Sequence, residues 1–429
     1  MQQQAKNKII SAVIGNALEW YDFLIYGFLA TTIAQLYFPE QNPVTSLLMA
    51  LATFGVGFLM RPIGGLVLGY YADKKGRKFI LEVIIALMTL SVLLITFLPT
   101  AASIGIAAPI IMVIARMIQG FATGGEFASS TAYVIEASPA NRKGLYGSWQ
   151  FFGQCLAILF GSGFAALLSH YLSAEAFMSW GWRLLFFVGL LICPVGLWIR
   201  YQLDENEAYQ QQRVQASQPL SMIAQNLKAS IKQIILTIGL SISATAAFYV
   251  VLINTPTYLY IKLGIVLSDL LILQAVAVLL LMLVIPLAGL WSDYIGRKPV
   301  IILGLSILIV TTLPLYHYVF TEKSQGAVLL MQCVLCVGIG LLLGPAPALV
   351  SEQFRIMGRT TAMSIAYNIA VMTFGGFAPF LVIWLSEIFN YAAPAYYLIL
   401  AQMIGMLAVV LMKDDVLEFS YKKINKSVT

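Results

Sequence analysis

Twelve long apolar stretches, separated by short polar breaks, make up most of this chain. A helix needs about 20 apolar residues to cross a bilayer core of roughly 30 Å. In order, the stretches predict twelve membrane-spanning helices, called spans 1 to 12, near residues 11–37, 46–72, 79–99, 105–135, 145–169, 181–201, 231–260, 267–291, 299–319, 326–350, 361–387 and 392–412. The predicted fold class is therefore an all-α membrane protein.

One charged break occurs twice, 220 residues apart. The first copy contains Gly69, Asp73, Gly76, Arg77 and Lys78, and the second contains Gly289, Asp293, Gly296, Arg297 and Lys298. A repeat of about half the chain, built from membrane spans, is typical of secondary transporters in which two like bundles rock around a midplane site. We therefore expect two pseudo-symmetric six-helix bundles at residues 1–201 and 231–412, a cytoplasmic linker at 202–230 and a cytoplasmic tail at 413–429.

Composition independently favours lipid as the main solvent. Of 429 residues, 60% are apolar and only 10% are charged, and the mean hydropathy is +0.86. So few charges are insufficient to cover the surface of a soluble protein of this size.

The positions of Lys and Arg predict the orientation, because these residues are retained on the cytoplasmic side near span ends. With both termini in the cytoplasm, 20 basic residues face inwards, and only Lys262 and Lys323 face outwards. The net charge of +6 then follows from topology, so it does not indicate a nucleic-acid partner. The predicted location is a bacterial inner membrane, crossed many times.

No cofactor or metal is expected. Cys333 and Cys336 have the spacing of a redox or zinc pair, but the chain has only two histidines, His170 and His317, and no second cysteine pair. A Gly-x-x-x-x-Gly-Lys-Ser/Thr loop, which would hold a nucleotide, is also lacking, which argues against transport driven by ATP. With no nucleophile constellation either, the sequence does not indicate an enzyme.

Further motifs accompany the repeated break. They are Gly15, Asn16, Glu19, Trp20, Tyr21, Asp22 and Phe23 in span 1; Arg61, Pro62, Gly64 and Gly65 in span 2; Arg116, Gln119, Gly120, Gly124, Gly125 and Glu126 in span 4; Trp180, Gly181, Trp182 and Arg183 at the start of span 6; and Tyr367, Asn368, Phe374, Gly375 and Gly376 in span 11. Over nearly its full length the chain resembles the major facilitator superfamily, and in particular its metabolite:proton symporter branch, which includes proline/betaine, citrate, 2-oxoglutarate and shikimate carriers. It departs from that branch at Arg355, where the branch usually has proline.

The resemblance implies a major facilitator fold, and also a role for the repeated break. Asp73 and Arg77 are four residues apart at a helix end, close enough to pair, and such a carboxylate can face the positive N-terminus of a helix in the other half. The implied role is a latch for one conformation, with Asp293 and Arg297 as a partial mirror. The alternative is a solvated turn that only sets topology.

Ionisable side chains within spans are costly, at about 2.5 to 3.5 kcal/mol or more at the bilayer centre unless they face a cavity or a partner. Glu19, Asp22 and Tyr26 share one face of span 1, and Arg116, Gln119, Thr123 and Glu126 fall within an arc of roughly 80° on span 4. Two such faces on otherwise apolar helices predict a common aqueous cavity.

We interpret Asp22, Glu126 and Glu19 as a proton-titrating cluster below a cationic substrate anchor, Arg116, with Arg61 in support. The alternative is a set of static ion pairs that hold spans 1, 2 and 4 together. The full set of predicted substrate contacts comprises Arg116, Gln119, Arg61, Gln150, Gln154, Tyr249, Asn254, Tyr258, Tyr367 and Asn368.

The sequence thus predicts a proton-coupled secondary active transporter that works by alternating access as a functional monomer. Its partners would be a small-molecule substrate, protons and the lipid bilayer. The first substrate class is a small organic carboxylate, such as a di- or tricarboxylate, because Arg116 and Arg61 offer cationic anchors. A zwitterion such as betaine or proline is the alternative within this class, and a transporter-like sensor that binds without translocating is the alternative from another class.

Overall fold

The computed structural model describes residues 17, 20–75, 77–190, 227–354 and 359–414, and this part of the chain is helical with no β-strand. Some predicted features lie outside the described residues. They are Glu19, the side chains of Asp73, Arg77 and Glu126, and most of the predicted linker and tail. The predicted domain boundaries therefore stay a prediction.

The first six spans occupy the N-terminal half of the chain. Their helices are 20–28 with Ala30–Tyr37, Pro43–Lys75, Arg77–Phe97, Ala107–Ala122 with Glu126–Ala137, Lys143–Tyr171, and the π-helix Phe177–Gly181 continued by 182–190. Short helices at Ala101–Ile104 and Ala174–Ala176 connect spans 3 to 4 and 5 to 6.

The last six spans follow the same plan. Their helices are Ile231–Ala247, π-helix Phe248–Asn254 and Thr255–Leu263; Leu267–Ile295; Arg297–Glu322; Gln325–Leu343 with Ala346–Glu352; Arg359–Ala370, π-helix Val371–Gly375 and Ala378–Ile388; and Ala393–Leu411. Among the described residues, eight helices are long and apolar enough to cross a membrane, and Glu82–Phe97 and Ala107–Ala122 are shorter apolar helices. The predicted all-α class, with twelve helices in two six-helix bundles, is confirmed.

Within the N-terminal bundle, spans 2 and 4 touch through their backbones. A methyl group added to Gly120 would overlap the carbonyl of Gly57, and one added to Gly124 would overlap the carbonyl of Arg61. Small residues allow this approach, which replaces the hydrophobic driving force that lipid does not supply. Gly120 and Gly124 of span 4 are therefore packing residues.

Between the bundles, the most extensive contact among the described helices is that of span 5 with span 8. The start of span 5, at Gly144, meets the end of span 8, at Gly289 and Asp293. We call this side of the molecule the loop end, and the side of residues 38–42 and 323–324 the opposite end. Under the predicted orientation, the loop end is cytoplasmic.

Candidate functional site

A cavity lies between the two bundles, and six of its seventeen described lining residues are aromatic. Its lining residues are Trp20, Phe127, Thr131, Phe151, Gln154, Thr237, Leu240, Ser241, Ala244, Thr245, Phe248, Tyr249, Ala346, Pro347, Val350, Met363 and Tyr367. Both bundles contribute, as expected for a site that two rocking bundles share. None of these described lining residues is charged.

Arg61 lies close behind this wall. Its guanidinium carbon lies 5.6 Å from the ring centre of Trp20 and 5.8 Å from that of Tyr367, both of which line the cavity. Its Nη2 makes one long hydrogen bond, 3.5 Å, to the Thr123 carbonyl, and its Nε has no partner among the described residues. Arg61 can therefore act on a substrate from behind two aromatic side chains.

Arg116 is fully buried outside the cavity lining. Its guanidinium carbon lies 4.3 Å, 4.6 Å and 5.1 Å from the ring centres of Phe23, Tyr26 and Phe54, and its Nη1 donates a hydrogen bond to Gln119 Oε1. Three rings in this range stabilise a desolvated cation through their quadrupoles. Within the described part of the chain, Arg116 has no carboxylate partner, so the structure does not pair it with Asp22.

Asp22 points towards span 6 instead. A methyl group added to Gly189 would overlap the Asp22 carboxylate, so only glycine leaves room for it there. The side chain is 2% exposed, and its Oδ1 has no hydrogen-bond partner among the described residues. An ionised carboxylate in such a place costs far more free energy than a protonated one, which carries no charge. This is the property that a proton-carrying group needs.

The remaining predicted substrate contacts fall into three groups. Gln154, Tyr249 and Tyr367 line the cavity, and neither Gln154 Nε2 nor the Tyr249 hydroxyl has a partner among the described residues. Gln150 donates to Ser130 Oγ, and Gln119 is held by Arg116.

The third group, like Gln150 and Gln119, lies outside the cavity lining. The Tyr258 hydroxyl donates to the carbonyl of Tyr391 at the opposite end. Asn368 donates to a carbonyl of span 4, and Asn254 is buried at the end of a π-helix. These three stay predictions as substrate contacts.

Sequence reasoning missed most of the aromatic wall. Trp20, Phe127, Phe151 and Phe248 line the cavity, yet the search for polar side chains within spans did not select them. A usable signal existed, because Trp20, Phe127 and Phe248 are next or nearly next in sequence to the selected residues Asp22, Glu126 and Tyr249.

The bundles contact each other on both sides of the cavity. Towards the opposite end, a methyl group added to Gly27 would lie 2.6 Å from Ile253, and one added to Gly55 would lie 2.6 Å from the ring of Phe377. Towards the loop end, a methyl group added to Gly289 would lie 2.6 Å from the carbonyl of Gly144. Glycine thus allows close contact between the bundles at either end.

At the loop end, Asp293 of span 8 binds the N-terminus of span 5. Its two carboxylate oxygens accept hydrogen bonds from the backbone N–H groups of Gly144 and Leu145, at 2.8 Å and 2.9 Å. Arg297 pairs with the same carboxylate, and its other side reaches Glu352 at 3.4 Å. A carboxylate at a helix N-terminus satisfies unpaired N–H groups and interacts favourably with the helix dipole.

Asp293→Asn is expected to favour opening at the loop end. Hydrogen bonds to a charged group contribute about 1.5 to 3 kcal/mol, so weakening this contact should shift the equilibrium by about tenfold to a hundredfold. The shift can be measured as the distance distribution between spin labels at Ala140 and Lys413, in a protein whose native cysteines are replaced by serine. The control is Asp269→Asn, the same change at the other end of span 8, where the carboxylate accepts from exposed Gln325. An unchanged distribution for Asp293→Asn would show that this contact does not latch the bundles.

The chain is similar to known protein families and to individual proteins along most of its length. The Major Facilitator Superfamily model matches residues 12–369 and 270–423. A proline/betaine transporter of Escherichia coli K12 is 35% identical over 420 residues, covering 95% of this chain and 83% of that protein. A citrate-proton symporter of Salmonella typhi is 33% identical over 406 residues, covering 93% of this chain and 92% of that one.

A solved structure of the xylose transporter XylE from E. coli, in a partially occluded inward-open conformation, matches with a TM-score of 0.75 and 18% identity. The match covers 96% of this chain and 98% of that one. At this identity, the likeness shows a common fold.

Proposed function

We propose that this chain, which belongs to the major facilitator superfamily, imports a small zwitterionic metabolite together with protons across a bacterial inner membrane. A transporter rather than an enzyme is supported by the family and by the relatives, which are named as a proline/betaine transporter and a citrate-proton symporter. We further propose that it functions as a monomer with both termini in the cytoplasm, as the distribution of Lys and Arg predicts.

The uncharged aromatic wall is the observation that carries the choice of substrate. Six of the described lining residues are aromatic, namely Trp20, Phe127, Phe151, Phe248, Tyr249 and Tyr367. Aromatic faces attract a substituted ammonium group, with a gain of about 2 kcal/mol or more when it is desolvated. Arg61, behind Trp20 and Tyr367, supplies one positive charge for one carboxylate. A zwitterion with one group of each sign fits both features.

An organic carboxylate, the first choice from the sequence, stays the second candidate. Arg61 and Arg116 are the cations that favour it, and the citrate-proton symporter is nearly as similar to this chain as the proline/betaine transporter. With Arg116 behind Phe23, Tyr26 and Phe54, however, a tricarboxylate would place two charges against a wall without a described cation. Such desolvated charges are costly unless protons accompany them.

Protons would be carried by Asp22, Glu126 or Glu19, the carboxylates of spans 1 and 4. Asp22 is the best supported because it is buried, lacks an ion-pair partner within the described residues and lies two residues along span 1 from the cavity residue Trp20. A zwitterion that moves with one proton carries one net positive charge. An inside-negative potential therefore drives its uptake, at about 2.3 kcal/mol per 100 mV, or roughly fiftyfold accumulation.

The substrate class can be tested in proteoliposomes containing the purified protein. We expect labelled proline or glycine betaine to accumulate under an inside-negative potassium diffusion potential set with valinomycin, and a proton uncoupler to abolish this accumulation. Labelled citrate, added at the same concentration, should not accumulate under these conditions. Accumulation of citrate driven by a pH gradient, without accumulation of either zwitterion, would favour the second candidate. Binding of any of these compounds without uptake would favour the sensor.

A further inference from the structure

Span 4 is interrupted close to its middle. Its first helix ends at Ala122, its second begins at Glu126, and residues 123–125 form a turn between them. The end of one helix and the start of the next leave backbone groups without partners inside the helix, so other parts of the protein have to satisfy them. In transporters, such breaks occur where the backbone lines a cavity or is buried in protein.

Span 11, in the other bundle, supplies one of these partners. The side-chain amide of Asn368 donates a hydrogen bond to the Gly124 carbonyl at 2.7 Å, and a second to Ser364 Oγ at 3.2 Å. Asn368 is 3% exposed and does not line the cavity. Its two donors are thus used for the break and for its own helix, and not for a substrate in this conformation.

The neighbouring residue of span 11 makes a second contact with the same part of span 4. The ring of Tyr367 is stacked on that of Phe127, with centres 3.8 Å apart and an angle of 12° between the planes. Both rings line the cavity. Consecutive residues of span 11 therefore hold span 4 on either side of Glu126, one at Gly124 and one at Phe127.

We propose that Asn368 is a positioning residue that ties the start of the Glu126 helix to span 11, so that the substrate cavity and the proton site on span 4 change state together. This inference rests on the proposed role of Glu126 in proton transport. A substrate in the cavity touches Tyr367 and Phe127, and opening at the loop end separates spans 4 and 11. The Asn368 hydrogen bond exists only while they are together. The bond is therefore made in one conformation and broken in the other, and both the substrate cavity and the proton site influence which conformation is adopted. Coupling between two sites requires an element of this kind.

Asn368→Leu tests this proposal, because leucine has a similar size but no donor. Ser364→Ala is the matched control: it removes the other acceptor of the same amide, one turn away, and leaves the cross-bundle bond in place. The probes are labelled proline and glycine betaine in proteoliposomes. The measurements are the proton-to-substrate ratio from the reversal potential, steady-state accumulation, and exchange of labelled for unlabelled probe without a driving force.

For Asn368→Leu we expect the ratio to fall well below the wild-type value, and accumulation to fall by roughly tenfold from the fiftyfold that about 100 mV supports. Exchange should fall far less than accumulation, and Ser364→Ala should behave as the wild type. A merely structural residue would not lower the ratio while largely sparing exchange. Asn368→Ser, whose hydroxyl is too short to reach Gly124, should give the same result and serves if the leucine variant does not fold.

Two results would overturn the inference. One is an unchanged proton-to-substrate ratio in both Asn368 variants. The other is a parallel loss of exchange and accumulation in both folded variants, which would indicate a role in substrate binding. Failure of the proposed function is distinguishable, because the wild type itself would then accumulate neither probe in response to the proton gradient.

Discussion

Replacing Asp22 with Asn is expected to abolish uphill accumulation of the substrate and leave exchange of labelled for unlabelled substrate largely intact. Asparagine is permanently neutral, so the carrier can return through the membrane without a proton. Substrate then equilibrates, and the roughly fiftyfold gradient that about 100 mV supports collapses to none. Exchange needs no net proton movement and should persist.

The measurement is uptake into proteoliposomes under a fixed potential, followed by counterflow of labelled substrate with the potential removed. Glu126→Gln and Glu19→Gln are made in parallel, because either carboxylate is an alternative carrier of the proton. If all three neutral variants still accumulate substrate in a proton-dependent way, the proton route lies elsewhere.

Gly189→Ala is a companion variant that keeps the carboxylate but moves it. The added methyl group would overlap Asp22, whose side chain has to rotate to a different position. We expect reduced accumulation at near-normal exchange, because the proposed proton site is displaced and not removed. Gly163→Ala in span 5 is the control, since nothing lies within 4 Å of the added methyl group. If Gly189→Ala and Gly163→Ala accumulate substrate equally, the position of the Asp22 carboxylate against span 6 does not affect proton-driven accumulation.

The fold followed from the sequence because membrane spans have a strong one-dimensional signal. Apolar runs of the required length and the repeated break around Asp73 and Asp293 were sufficient to predict twelve helices in two bundles. The interruptions were harder to predict. Span 4 breaks at residues 123–125, and spans 7 and 11 contain π-helices at Phe248–Asn254 and Val371–Gly375. No apolar run shows these features, because hydropathy does not depend on how backbone hydrogen bonds are arranged.

The sequence predicted which spans form the site better than it predicted which side chains contact each other there. Spans 1, 2, 4, 5, 7 and 11 were selected for polar residues, and each contributes to the cavity or lies beside it. Helical spacing gives the face of one helix, but it does not say which neighbour that face meets. Asp22 and Arg116 were therefore placed in one cavity, whereas Asp22 lies against Gly189 of span 6 and Arg116 lies among three rings. Such choices depend on tertiary packing across more than 60 residues of sequence.

Single methyl groups at two glycines are expected to shift the protein in opposite directions. Gly55→Ala places a methyl group 2.6 Å from the ring of Phe377, so it destabilises closure at the opposite end. Gly289→Ala places one 2.6 Å from the carbonyl of Gly144, so it destabilises closure at the loop end. Overpacking costs about 1 to 3 kcal/mol, which corresponds to a shift of roughly fivefold to a hundredfold in each equilibrium.

Two pairs of spin labels report the two ends, Ala140 with Lys413 at the loop end and Gln41 with Lys323 at the opposite end. Gly55→Ala should lengthen the distance at the opposite end, and Gly289→Ala should lengthen the distance at the loop end. The double variant should restore the wild-type ratio of the two open states, because independent effects of opposite sign add. Gly163→Ala should leave both distributions unchanged. Gly120→Ala, which overlaps the Gly57 carbonyl inside one bundle, should lower the thermal stability of the protein and not select an end. Lengthening of the same distance by Gly55→Ala and Gly289→Ala would contradict a transport cycle in which these glycines allow the two ends to close in turn.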